Sequence, residues 1–400
     1  MPVAALIVLS SVGCKDSDPF DPGAVMPGPI TFKVDGLGEV PERFTAELTV
    51  RGDVAYTSTW GGRTFNGVRS VGNAIKIWNV AGSALTLVDS VIVPNATTLG
   101  DIQVSDDGKL LVVATEFSPG SIAVFDLTNP LKPALVSRFS SANTIPGVHT
   151  AEVERVNGKL YAFLCVDLAG ITFPARLVIV DLSNPASPVE VMSRVMGSPF
   201  VHDVFVREGI LMTALWDAGI AIFEIGGAGR GGTIANPVQI GSVATEGGQA
   251  HNIWWLHDPV TGSKKFAFVG EEGPALIGTA SSGDIHVVDV SDMTKPREVA
   301  FFSLAGAGTH NFSVDESRGV LYAAYYNAGV RALNVRGDLG NCTPAERAPD
   351  GRCDLAKMGR DLGGALTDQQ VPVYVWGVQF SGSKLYASDM LNGLWKLSTQ

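Results

Sequence analysis

HDVFVREGILMTALWDAGIAIFEI, His202–Ile225, decides the fold. HDVFV and ILMTALW meet at Glu208-Gly209, a hairpin signal, and Asp217-Ala218-Gly219 turns the chain into IAIFEI. Each run is five to seven residues long, which suits a strand and not a helix. The same order recurs to make seven units. Asp101–Val104 turns at Asp107-Gly108 into Leu110–Thr115, then Ser121–Leu127. His149–Val156 turns at Asn157-Gly158 into Leu160–Val166, then Arg176–Leu182. Trp376–Phe380 turns at Ser381-Gly382 into Lys384–Ser388, then Gly393–Leu397. The remaining units open at Thr45, His251 and His310. Seven copies of one small antiparallel sheet predict radial packing around an axis.

The third run often closes on a fixed phrase: LVIVDLSNP at Leu177–Pro185, IAVFDLTNP at Ile122–Pro130, IHVVDV at Ile285–Val290. These phrases resemble the LVIVD repeat of bacterial secreted and lipoprotein β-propellers. The resemblance spans nearly all of the chain after residue 29; it implies the fold and says little about chemistry. A proline-containing turn then leads into PVEVMSRV (Pro188–Val195) or PREVAFFSL (Pro296–Leu304), the expected fourth strand of a blade. The seventh unit stops at its third strand, just before Gln400, while ITFKV (Ile30–Val34) is a strand without a unit. The expected fold is therefore all-β: a seven-bladed β-propeller over residues 30–400, its ring closed by the N-terminal strand joining the C-terminal blade. Closure removes the sheet edges an open array would expose, and the capping repeats of an open solenoid are missing. Residues 336–371 read as an inter-blade insertion.

Composition agrees. The chain carries 46 Gly and 22 Pro beside 46% hydrophobic residues, as many short buried strands require. A net charge of −11 leaves nothing to neutralise phosphates, so nucleic acid is not an expected partner. Residues 1–14 read as a signal peptide. Its last four, Ser11-Val12-Gly13-Cys14, resemble a bacterial lipobox, although Ser11 stands where leucine is favoured and no Lys or Arg precedes the apolar run. The resemblance implies lipidation at Cys14; the alternative is a buried N-terminal strand. Residues 15–29, rich in Asp, Pro and Gly, read as a flexible tether. Cys342 and Cys353 flank a Pro/Gly/charged loop, the setting for a disulfide in an oxidising compartment, and Cys165 lies in an apolar run as a core residue. The expected location is extracytoplasmic, at the bacterial cell envelope or secreted. The expected state is a monomer that meets the membrane only through its lipid anchor.

Chemistry concentrates on histidine. Of six, four open the first strand of consecutive units: His149, His202, His251 and His310. The first strand of a propeller blade is innermost, so these side chains should gather at one mouth of the channel. The second strand ends on that face, with Glu116, Asp167, Asp217, Glu271, Asn327 and Asp389 as its terminal residues, and Asp203, Asn252 and Asn311 follow three of the histidines. Imidazole with carboxylate suits a divalent transition metal, His149, His202, His251 and His310 being the candidate ligands. Carotenoid oxygenases hold iron with four histidines on a seven-bladed axis; the likeness is of arrangement only. The competing reading is a shared structural hydrogen bond copied from repeat to repeat. Trp376, Gly100, and Phe44 or Ala46 occupy the equivalent places in the three units without histidine, and His257 and His286 read as surface or turn residues. Trp60, Trp216, Trp254, Trp255 and Trp376 belong to the core or stack on a ligand near the mouth. The leading expectation is an envelope-anchored binding or scaffold module for an unidentified protein, peptide or glycan at the His/acidic mouth. The alternative is a metal-dependent oxidoreductase or hydrolase at the four histidines, and a third, weaker reading is a lactone-hydrolysing propeller.

Overall fold

The computed structural model describes residues 26–167, 174–197, 200–227, 229–273, 276–367 and 369–400. Cys14, the signal segment and most of the tether lie outside the described residues. Seven sheets stand around one axis, and their innermost strands are Phe44–Arg51, Thr98–Val104, Thr150–Val156, Asp203–Arg207, Ala250–Trp255, Phe312–Asp315 and Val375–Ser381, defining blades 1 to 7. The innermost strand of each blade touches that of the next, and blade 7 returns to blade 1. The only helix among the described residues is one 3-10 turn, Pro344–Glu346, so none is long and apolar enough to cross a membrane.

The sequence explains the layering. Second and third strands read as continuous apolar runs, such as Leu110–Glu116 and Ile220–Glu224, because both faces are covered by neighbouring blades. Between blades 5 and 6, for example, Phe268, Ile285 and Val287 share a core with Leu321, Ala323 and Tyr325. Outer strands such as Thr86–Ile92 face solvent. In the first six blades the third and fourth strands pair with a register shift near the middle, for instance at Ile179/Val180 and Ile222/Phe223. Such bulges bend the outer strand and raise its twist.

Ring closure takes the expected form and is longer than expected. Phe32–Glu39 pairs antiparallel with Gly393–Thr399 as the outer strand of blade 7, and Thr31 and Gln400 exchange backbone hydrogen bonds of 3.0 and 2.9 Å. A bulge at Val34/Gly36 lets the strand continue past Val34. The 336–371 segment departs from the expected inter-blade insertion. Asp361–Ala365 is the outer strand of blade 6, so most of the insertion joins two strands within that blade, on the face opposite the histidines. It is stapled by a Cys342–Cys353 disulfide, and Cys353–Asp354 lies parallel to the outer strand of blade 5. An unanticipated hairpin, Gly62–Phe65 with Val68–Val71, joins the second and third strands of blade 1 on the histidine face.

Candidate metal centre

His149 and His202 precede their inner strands by one residue and His310 by two; their N–H groups donate to the carbonyls of Cys165, Ala214 and Ala324, each at 2.9 Å. His251 arrives differently. Ala250 pairs with Glu271 and Asn252 with Gly270, which leaves His251 as the extra residue of a bulge, a device that re-aims a side chain.

The four rings form a row, with centroids 4.4 Å apart for His149–His202, 4.2 Å for His202–His251 and 4.0 Å for His251–His310. Three are deeply buried: His202 is 8% exposed, His251 3% and His310 1%. Nδ1 of His202 and both nitrogens of His251 and His310 have no hydrogen-bond partner among the described residues. A buried polar atom left so costs about 1–3 kcal/mol. Five of them in one cluster are a poor structural network, which weighs against a shared stabilising hydrogen bond as the reason for these histidines.

Carboxylates surround the row. Glu116 Oε1 is 3.0 Å from His149 Nδ1, and Glu272 Oε2 is 3.7 Å from Nε2 of both His202 and His251. Asp167 Oδ2 is 3.8 Å from His202 Nε2, and Glu47 Oε1 is 3.7 Å from His310 Nδ1. Burial holds the pKa of His202, His251 and His310 well below the ordinary imidazole value, helped by the charge of neighbouring rings. Burial also opposes charge on His149, but Asp167, Glu116 and Glu272 outweigh it and raise its pKa well above that value. Three neutral rings are in the ligand form.

Two triads can converge on an ion. His149, His202 and His251 each offer one ligand atom within 4.8 Å of the others, and so do His251, Glu272 and His310. Ligand atoms that share an ion at about 2.0–2.1 Å stand closer together than this, so each triad would contract on binding. His251 belongs to both.

The surroundings explain which blades contribute. In blade 2 a Cβ on Gly100 would lie 2.1 Å from the His149 carbonyl oxygen and 3.1 Å from Glu116 Oε1, so glycine is required there. In blade 7 the Trp376 ring stands 4.7 Å from His310 and 5.7 Å from Trp60. Trp216 stacks on His202 at 5.3 Å, and Tyr326 meets His310 edge-on at 5.2 Å. Trp216 and Tyr326 open matching turns, WDAG and YNAG, and both adopt left-handed backbone, φ +54° and +41°. Bulky residues resist that region, and paired backbone hydrogen bonds to the next blade hold them in it, Trp216 with Ala250 at 3.2 and 3.1 Å and Tyr326 with Val375 at 3.1 and 2.9 Å.

Below the row a chamber of about 870 Å³ follows the axis. Glu47, Asp101, Glu152 and Asp203 line it on one side, Asn252 and Asn311 on the other. Burial pushes Glu47 and Asp203 up to about 8, Asp101 up to about 6 and Glu152 well above the ordinary value. Burial likewise pushes Asp167, at the mouth, up to about 7. Arg207 at the far end is committed to Glu316 at 2.7 Å.

The structure gathers His149, His202, His251 and His310 with Glu116 and Asp167, and puts Asp203, Asn252 and Asn311 in the chamber wall. Four expected residues stand elsewhere. Asp217 is exposed in its turn. Glu271 turns away to His286, and its neighbour Glu272 takes the place by the histidines, because the bulge at His251 shifts the register by one. Asn327 bonds Ser281 and the Gly306 carbonyl, and Asp389 bonds Tyr374, Asn392 and Trp395; both are structural. His286 is not a surface residue: it is buried within Ile285–Asp289 between Glu298 at 2.8 Å and Glu271 at 3.4 Å. His257 is partly buried, 3.6 Å from Glu208. Glu47, Asp101, Glu152 and Glu272 were missed by sequence reasoning; the first three could have been found by extending the inner-strand alternation to every unit.

No curated protein matches the chain. Residues 171–195 match the LVIVD repeat, across the third and fourth strands of blade 3. The chain is thus a seven-bladed β-propeller that carries an LVIVD repeat.

Proposed function

We propose that the propeller is a binding module built on a transition metal, which it holds at the channel mouth and presents to a small polar ligand in the chamber below. His202 and His251, and His149 on giving up its proton, would hold the ion, with Glu116 orienting His149 and Asp167 standing beside His202; nitrogen with carboxylate oxygen suits Zn, Cu or Fe. The single observation carrying this reading is the set of buried imidazole nitrogens without hydrogen-bond partners. Catalysis at the same ion, as an oxidoreductase or hydrolase, is the second reading. It is favoured by Asp101 and Asp203, whose pKa values near 6 and 8 suit proton transfer at neutral pH. The disulfide supports an extracytoplasmic setting, and anchoring through Cys14 is the accompanying proposal. Elemental analysis of protein purified without chelator or affinity-column metal tests the reading. We expect stoichiometric metal that is lost in His202→Ala; metal-free wild-type protein that is folded and takes up no Zn(II), Cu(II) or Fe(II) overturns it.

A further inference from the structure

His251 belongs to two triads at once, and both of its ring nitrogens are buried without a partner. A histidine serving a single ion uses one nitrogen and gives the other a hydrogen bond, which fixes ring and tautomer. His251 has no such second bond among the described residues. We propose that the mouth holds two metal ions, the second between His251, Glu272 and His310, with the His251 ring bridging them. This rests on the metal reading above and adds to it a distinct site and a dinuclear stoichiometry.

Three further observations support the second site. The first is that Glu272 is held in place at some cost. Its N–H donates to the carbonyl of Gln249 at 3.0 Å, and its Oε1 accepts from the Tyr326 hydroxyl, leaving Oε2 toward the rings. Gln249 and Tyr326 both carry left-handed backbone, φ +57° and +41°, which side chains disfavour. Tyr326 is locked there by exchanging hydrogen bonds of 3.1 and 2.9 Å with Val375 of blade 7. Tyr326 is thus a positioning residue for the carboxylate. Secondly, both nitrogens of His310 lie buried without a hydrogen-bond partner at 1% exposure, Glu47 standing 3.7 Å from Nδ1, and none of the contacts around the first triad uses them. Carboxylate supply is the third: Glu116 and Asp167 stand within 3.8 Å of ring nitrogens of the first triad, and Glu272 and Glu47 stand 3.7 Å from ring nitrogens of His251 and His310.

Neutral imidazole has one lone pair and one N–H. Bridging therefore requires that His251 lose that proton to water as the second metal–nitrogen bond forms, so uptake of the second ion releases one proton more than nitrogen coordination by a neutral ring.

The test is a titration of metal-free full-length protein with Cu(II) alone, read by metal-to-protein ratio after desalting and by electron paramagnetic resonance. Wild-type protein should take two ions per chain with a spin-coupled spectrum. His310→Gln and Glu272→Gln, each checked by circular dichroism, should take one, with the uncoupled spectrum of isolated Cu(II). Tyr326→Phe keeps the ring and loses the bond to Glu272; it should weaken the second ion at least tenfold and leave the first unchanged. A ratio of one in the wild type overturns the second site and leaves the metal reading standing. A ratio of zero overturns both. Two uncoupled ions, or two that persist in His310→Gln and Glu272→Gln, also overturn it, since the second ion then lies elsewhere.

Discussion

The ring centroids of His251 and His310 lie 4.0 Å apart at 50°, and no nitrogen of either ring has a hydrogen-bond partner among the described residues. Two neutral imidazoles in contact, both deep in the protein, contribute apolar packing and forfeit polar bonds. Without metal this is a local destabilisation. A site that trades stability for binding in this way should reveal the trade on mutation.

His251→Leu supplies the test. Removing two orphaned nitrogens for an apolar group of similar size should stabilise the metal-free protein by about 1–3 kcal/mol. Saturating metal should reverse the order, since an ion present at a hundred times its Kd adds about 2.7 kcal/mol to the wild type alone. Paired thermal melts with and without Zn(II) check this. A variant less stable than wild type in the metal-free state means that the nitrogens are satisfied and the ring is structural.

His286 gives a pH dependence of known sign. Burial opposes its charge, but Glu271 and Glu298 outweigh it and push its pKa up to about 9. Asp284 and Arg352 also face this group. A folded-state pKa above the ordinary value of about 6.5 means stability fully present below pH 6.5 and lost as pH rises through 9. The loss should be on the order of 3 kcal/mol. His286→Gln should flatten denaturant-derived stability between pH 6.5 and 9.5; an unchanged slope removes His286 as its source.

The disulfide should act locally. Cys342 and Cys353 close a short loop with a separation of 11 residues, worth about 2–3 kcal/mol by chain entropy. Cys353 also begins the two-residue strand against Ala300 and Phe301, and Leu355 donates to the Phe301 carbonyl at 2.9 Å. The double variant Cys342→Ser, Cys353→Ser should lose that stability. In hydrogen exchange, amides at residues 353–360 should open before the inner strands, and protection unchanged there would mean that packing of Leu355 suffices.

The architecture was legible because each blade writes the same pattern, and IAVFDLTNP and LVIVDLSNP mark equivalent strands wherever they fall. Ring closure was legible from two incomplete ends. Glu272 was not, since nothing in EEG (Glu271–Gly273) tells which glutamate faces the axis; that depends on a bulge one strand away. Asp361–Ala365 was hidden for another reason: DLGGA lacks the apolar alternation of a strand, and only its pairing with Val330–Asn334 makes it one. Side-chain convergence also lay beyond sequence. Periodicity brings four histidines to one mouth, but their grouping into two triads depends on ring orientation.

Closure itself can be tested. Phe32–Glu39 covers the whole length of Gly393–Thr399, Asp35 bonds Lys384 at 2.7 Å, and Ile30 packs with Val320, Leu366 and Trp395. A chain beginning at Val40 would expose a full strand edge on blade 7, and an unpaired edge recruits another strand. We expect the truncated chain to melt at lower temperature with reduced cooperativity and to self-associate on size-exclusion chromatography. A synthetic peptide of residues 30–39 should reverse both, since it restores the missing outer strand in trans. A monomeric truncated chain that melts like the full protein would mean that contacts between Phe44–Arg51 and Val375–Ser381 already close the ring, and that the terminal strand only covers it.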